Sequence, residues 1–486
     1  MSYLRMLAPL ALAAFSQAAT AQLPGRTLFD DVARALGGGD RIAAVHSLMV
    51  QGTGRNYNLG QNPSPDAPLP MYEVTKYVRA YDFASSRWRQ DQTREARFPT
   101  GNMAPQRQRF GYDVVAYDIT SDTTMRRLGE RPTVDRRAEF FYHPIGFLQA
   151  ALKPGVRLVE ERGNDSTRRL RLDADGQTYV MVVDRRSRLP LRIERRIHHN
   201  MLGDATVSSE FSDWKVVSNV RLPMKMSQRI DGHWPLAEME LSDARVNVAM
   251  NELAIDDVVK TAALQAPPVN VAIDSIAPGV WYVTGGSHHS VAIEMRDHIL
   301  LIEAPQSEDR TLAVIRKVRE LRPSKPIRAA VNTHHHFDHS GGIRAALAEG
   351  LVVITHAGNV PFYQGLAKRP FTIAADALAK APKPAVVEGV AVKRVLTDGA
   401  RTVELHEITG STHSETMLVA YLPAEKLLIE ADLYSPPAAN VTAPPPAPFA
   451  KSLVENIDRL ELQVERIVPI HGRVIPFADL RAAAGM

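Results

Sequence analysis

The sequence of 486 residues contains no cysteine. Disulfides, thiolate metal ligands and a lipid anchor on an N-terminal cysteine are therefore excluded, and any metal must be held by histidine and carboxylate side chains. Net charge is scarce too. With 58 basic against 54 acidic residues the balance is only +4, which gives no reason to expect nucleic acid or an anionic membrane as a partner. The apolar run at residues 6–15 is too short to span a bilayer permanently. What remains is a globular composition, 45% hydrophobic and 23% charged, on a chain long enough for two domains with a sizeable core each.

Residues 1–21 place one positive charge, Arg5, before that apolar run, and Ala19-Thr20-Ala21 before Gln22. This is the order of a secretory signal peptide with a small-residue cleavage site. The mature chain is expected to be exported to a bacterial periplasm and not to span the membrane.

The densest chemistry lies in Asn332-Thr333-His334-His335-His336-Phe337-Asp338-His339-Ser340-Gly341-Gly342, where four imidazoles and a carboxylate fall within six residues. Residues 327–331 read as a short buried strand and residues 340–349 as a capped helix, so the cluster occupies a strand-to-helix loop on which side chains can converge. In extended backbone, residues two apart point the same way: His334 and His336 can grip one ion while His335 points elsewhere. Asp338 and His339, where the chain turns into the helix, swing toward a second position. Imidazole nitrogens with a single carboxylate suit zinc best, and iron, manganese or cobalt less well. A bare histidine triplet is compatible with a fortuitous cluster on a solvated loop; the full pattern in this setting is much less so.

His334-x-His336-x-Asp338-His339 resembles the signature of the metallo-β-lactamase superfamily. The resemblance covers residues 279–486 and implies an αββα sandwich with a two-metal site along one edge of its sheets, with further ligands downstream. Matching motifs follow in order: His413 in Thr409-Gly410-Ser411-Thr412-His413-Ser414, Asp432 in Glu430-Ala431-Asp432-Leu433, and His471 in Val468-Pro469-Ile470-His471-Gly472. On the family's pattern His334, His336 and His413 hold one ion, Asp338, His339 and His471 the other, and Asp432 bridges. Two Zn2+ are implied, with iron or manganese as substitutes, and Asp338 is the candidate catalytic residue. Three neutral imidazoles leave a position for water at the first ion, and a hydroxide shared by two ions would attack an ester, thioester, lactone or amide of a small-molecule substrate. Glu303 stands where the family usually has an aspartate that braces the ligand loop, and is kept out of the metal shell.

Residues 22–265 read as a mainly antiparallel β domain, giving an α+β chain. Helices are expected at 28–36 and 136–152, and alternating strands at 167–173, 177–184 and 207–214. Two turn-Leu-Pro-strand echoes, at Leu189-Pro190 and Leu222-Pro223, resemble the curved sheets of periplasmic lipoprotein carriers, which hold acyl chains. A scaffold that packs against the catalytic domain and shapes its mouth fits the same pattern. Residues 266–278, with Pro267 and Pro268, read as a linker, and from residue 279 strands alternate with helices. The stretch 435–448 holds six prolines and reads as a semi-rigid loop beside the metal entrance.

Two further functions fit parts of the pattern. A mononuclear iron oxygenase resembling the persulfide dioxygenases would use two histidines and one aspartate, leaving Asp338, His339 and His471 without a joint purpose. A non-enzymatic acyl or lipid carrier would leave an open two-metal ligand set unused. His288 and His289 suit either the mouth or a solvated loop, His356 a structural role, and Tyr434 either a leaving-group contact or packing.

Overall fold

A computed structural model describes residues 25–99, 103–250, 253–264, 269–438, 441, 447 and 449–486. The expected leader, Pro267 and Pro268, and much of the proline-rich stretch 435–448 lie outside these residues.

Thirteen antiparallel strands form one sheet in the N-terminal half. The first six step outward from Ser47–Tyr57 to an edge at Met125–Arg127. Helices Glu130–Ala138 and Pro144–Ala151 then carry the chain to the opposite edge. Seven strands step back from Arg157–Glu161 until Trp234–Val246 pairs with Ser47–Tyr57, so the first and last strands of the half lie side by side at the sheet's centre. Helix Arg26–Ala35 buries Leu28, Phe29, Val32 and Ala33 on one stripe. That stripe and Ile145, Phe147 and Leu148 of the second crossing helix pack on Leu48, Val74, Trp88, Tyr179 and Ile193 of the sheet, forming one core.

The single helix expected at 136–152 is two helices. The first ends at Ala138; Pro144 requires an extended residue before it, and His143 complies at φ −97° and ψ 133°, capping the second helix by accepting from the Ile145 amide. The Leu222-Pro223 echo lies inside strand Val220–Ile230 and does not open it, unlike Pro190 at the start of Pro190–His199.

The C-terminal half is a sandwich of a seven-stranded and a six-stranded sheet. Val280, Val291, Ile302, Leu405, Leu418 and Ile429 fill the space between the sheets. Helices Glu308–Leu321, Ile343–Ala348 and Val360–Lys368 cover the outer face of the first sheet, and Ala450–Arg459 and Phe477–Ala483 that of the second. This is the αββα layering that burial of both faces of each sheet demands. Strand Ala272–Ala277, within the stretch that reads as a linker, pairs with Val280–Thr284 as the edge of the seven-stranded sheet. Among the described residues no helix is long and apolar enough to cross a membrane.

The halves share a core. Met201, Leu202 and Ile230 of the large sheet belong to the same buried cluster as Ile343, Leu347, Tyr363 and Leu366 of the sandwich helices. Asp204 accepts from the Thr372 and Ile373 amides at 3.0 Å, and Arg369 pairs with Asp231 at 2.6 Å.

Burial, with the nearby Arg79 charge, pushes the His143 imidazole down to about 3 from an ordinary 6.5. Below pH 6.5 the unfolded chain takes up a proton that the folded chain refuses, so this stabilisation is complete above pH 6.5 and lost toward pH 3. The loss is at most about 1.4 kcal/mol per pH unit. His143→Asn retains a cap acceptor without the titration. Its urea midpoint should fall less steeply on acidification than that of the wild type; parallel falls would remove His143 from the account.

Candidate metal centre

Four loops, each following a strand, deliver the donors to one edge of the sandwich. His334, His336, Asp338 and His339 follow Ile327–Val331, His413 follows Thr402–Ile408, Asp432 follows Leu427–Glu430, and His471 follows Arg466–Pro469. They form two adjoining groups, His334, His336, His413 and Asp432 in one, and His288, Asp338, His339 and His471 in the other; within each group the donor atoms lie within 4.8 Å of one another. All seven ligand candidates from the sequence are thus brought together. His335 is in neither group and turns its ring to Phe362.

Asp432 touches both groups. Its Oδ2 is 3.0 Å from His413 Nε2 and 3.0 Å from His339 Nε2, and its Oδ1 is 2.8 Å from His471 Nε2. Nitrogens also face one another, His334 Nε2 and His413 Nε2 at 3.3 Å, and His339 Nε2 and His471 Nε2 at 3.2 Å. Two neutral ring nitrogens that both present lone pairs at such a distance repel unless a cation or proton stands between them. Asp432 is held in left-handed backbone at φ +64°, a conformation that costs a non-glycine residue energy and recurs at functional positions.

The far side of each ring fixes which nitrogen faces the centre. His334 Nδ1 meets Thr333 Oγ1 at 3.0 Å, His471 Nδ1 meets the Ser287 carbonyl at 3.0 Å, and His339 Nδ1 meets Glu303 Oε2 at 3.2 Å. Glu303 is fully buried, and its other oxygen accepts from the Thr333 amide at 2.6 Å, so one carboxylate ties the start of the ligand loop to a ligand. His336 bonds through Nε2 to the Asn62 carbonyl at 3.0 Å, and its buried Nδ1 has no partner.

The electrostatics suit cations. Burial, reinforced by the charge of His339, pushes His334 down to about 3, and burial likewise holds His336 well below its ordinary value, so both rings keep free lone pairs. Burial opposes ionisation of Asp432 and Asp338, but is outweighed: the His339 charge and the hydrogen bonds from three imidazoles hold Asp432 ionised, and the His288 bond and the His339 charge do so for Asp338. Burial would also neutralise His339; Asp432 and Glu303 reverse that and keep a positive charge on it. Neutral His334 and His336, ionised carboxylates and an orphaned Nδ1 suit a divalent cation, which would take the place of the proton on His339.

Sequence reasoning missed two participants and left a third, His288, at the mouth or on a solvated loop with no place among the donors. His288 Nε2 is 3.1 Å from Asp338 Oδ2, and its ring centroid is 4.0 Å from that of His471; a histidine doublet has no spacing rule that would have singled it out. Gln61 Nε2 donates to Asp338 Oδ1 at 2.7 Å and Asn62 supports His336, both from the N-terminal half. Other candidates resolve into structural roles. His289 is buried and bonds to the Gly472 carbonyl, His356 accepts from the Gly358 amide at a helix start, and Tyr434 packs in the core under helix Ala450–Arg459.

The centre opens into a cleft of about 440 Å³ walled by Pro63, Tyr72 and Phe98 of the N-terminal half and by Thr412 and Phe449 of the sandwich.

Residues 283–471 match the family model of the metallo-beta-lactamase superfamily, and this part of the chain is a domain of that superfamily. The thirteen-stranded sheet lies outside the match. A solved metallo-beta-lactamase from Pontibacter korlensis is 18% identical over 44% of this chain and 98% of its own, with a TM-score of 0.35. One from Hirschia baltica is 18% identical over 44% of this chain and 96% of its own, with a TM-score of 0.34. No curated protein matches the chain.

Glu303→Gln replaces an acceptor facing His339 Nδ1 by an amide that cannot satisfy both of its partners. It should weaken metal binding by about 10–100-fold in competition with a chelator of known affinity. Unchanged affinity would reduce Glu303 to packing.

Proposed function

We propose that the protein is an exported hydrolase that uses two divalent cations, zinc foremost, to cleave an ester, thioester, lactone or amide. The observation that carries this reading is Asp432, one carboxylate that reaches imidazoles of both donor groups. His334, His336 and His413 would hold the first ion, His339, His471, Asp338 and His288 the second, with Asp432 between them. Ions held there supply Lewis acidity toward a carbonyl and lower the pKa of water.

The chain's own residues do the rest. Asp338, kept ionised and 39% exposed, is the carboxylate that would accept a hydrogen bond from water beside the second donor group and orient it toward the carbonyl. The ligand loop is buried behind it, His334 and His339 fully so, which keeps bulk water out from the rear and the donors rigid. Pro63, Tyr72, Phe98 and Phe449 give the substrate an apolar surround while the electrophile lies on the polar floor.

The complete second donor group weighs against a mononuclear iron oxygenase, and the cleft's opening onto the donors against a carrier in which the metal is only structural. Export rests on the order of charge, apolar run and small residues in 1–21. Metal analysis of the mature chain should find two zinc ions, with hydrolysis on a panel of esters, thioesters, lactones and amides abolished by chelation and restored by zinc. One iron with oxygen consumption, or tightly held lipid without activity, would overturn the reading.

A further inference from the structure

Loop 58–70 leaves strand Ser47–Tyr57 at the centre of the large sheet and ends against the metal ligands of the other half. Its Gln61 amide donates to Asp338 Oδ1, on the oxygen that His288 leaves free. The next residue offers its carbonyl to His336 Nε2, which fixes the proton on that nitrogen and leaves Nδ1 as the nitrogen presented to the first donor group. Nothing else in the described residues bonds to the His336 ring nitrogens.

The loop is built to hold these two contacts. Asn62 is 5% exposed, and its side-chain amide donates to the carbonyls of Ser64, Pro65 and Ala67 at 2.6, 3.0 and 3.3 Å, curling the loop around itself. The Pro63 carbonyl accepts from Ser414 Oγ at 3.2 Å and the Glu415 amide at 2.7 Å, just after His413. The Gly60 carbonyl accepts from the Phe337 amide at 3.1 Å. Gly60 lies at φ +75°, where a Cβ would fall 2.2 Å from the Phe337 ring, so only glycine permits this approach. The loop is therefore anchored on both sides of the ligands that it touches.

We propose that this loop is part of the metal centre: Asn62 positions His336 at the first ion by setting its tautomer, and Gln61 positions Asp338 at the second by holding its carboxylate. A loop that merely packed at the junction would not distinguish one ion from the other. A loop in these roles makes each residue serve one site.

The inference rests on the two-ion reading, and the test separates them. Full-length chains are stripped and titrated with Co2+, followed by visible absorption and by competition with a chelator. His413→Ala and His471→Ala define the spectral signature of damage at the first and second sites. Gln61→Met, which keeps length and packing without the donor, should weaken the second ion by about 10–100-fold and leave the first. Asn62→Ala, which uncurls the loop, should weaken the first. Asp66→Ala, exposed on the same loop, should change neither. Equal weakening of both ions by both variants, or no weakening by either, overturns the loop's role while the wild type still takes up two ions. A wild type that takes up none overturns the metal reading itself. If Asn62→Ala loses the circular dichroism of the sheet, Gln61→Met alone decides, since it removes only an amide.

Discussion

A neutral imidazole can present a lone pair from one nitrogen only when the other carries the proton, and six imidazoles meet here around Asp338 and Asp432. The site therefore depends on what lies behind the rings. Thr333, Glu303, Asn62 and Ser287 bond to the rear nitrogens of five of them, counting the Ser287 hydroxyl on His288. Without these partners the same residues would be a cluster of interconverting tautomers. Charge imposes the complementary demand: Glu303 is removed from water and Asp432 largely so, and buried carboxylates are tolerated only beside positive charge.

The sandwich meets most of this demand from within, since strand ends place four loops at one edge and Glu303 braces the ligand loop from beneath. The exception is the support from across the junction. A shared apolar core through Leu202, Ile230 and Tyr363, with Asp204 and Arg369 on its rim, fixes the large sheet against the sandwich helices. That fixed seating lets a loop of one half place an amide and a carbonyl against ligands of the other.

The convergence of the seven candidate ligands was legible because metal binding restricts residue type and spacing together: His334 to His339 write both, and the downstream motifs add order. The sandwich strands were legible from apolar runs. His288 and Gln61 were not, because one histidine of a doublet and one glutamine carry no periodic signal. Asn62 contributes a backbone carbonyl, which every residue has. In the N-terminal half, alternation located strands 167–173 and 177–184 closely, but strand order follows from long-range pairing that alternation does not encode. The helix at 136–152 was misjudged because its apolar spacing outweighed Pro144, whose restriction on His143 is a backbone effect.

The closure of the large sheet joins the two ends of the N-terminal half. Strand Ser47–Tyr57 completes its pairing only with Trp234–Val246, and the His46 amide is bonded to the Asn247 side chain 201 positions later. Loop 58–70 is held by the local pairing of Ser47–Tyr57 with Met71–Asp82, and the closing strand adds to the same base a long-range pairing, the kind that forms slowly. The footing of the loop beside the candidate donors thus includes a strand far along the chain, so the donors are tied to both ends of the N-terminal half.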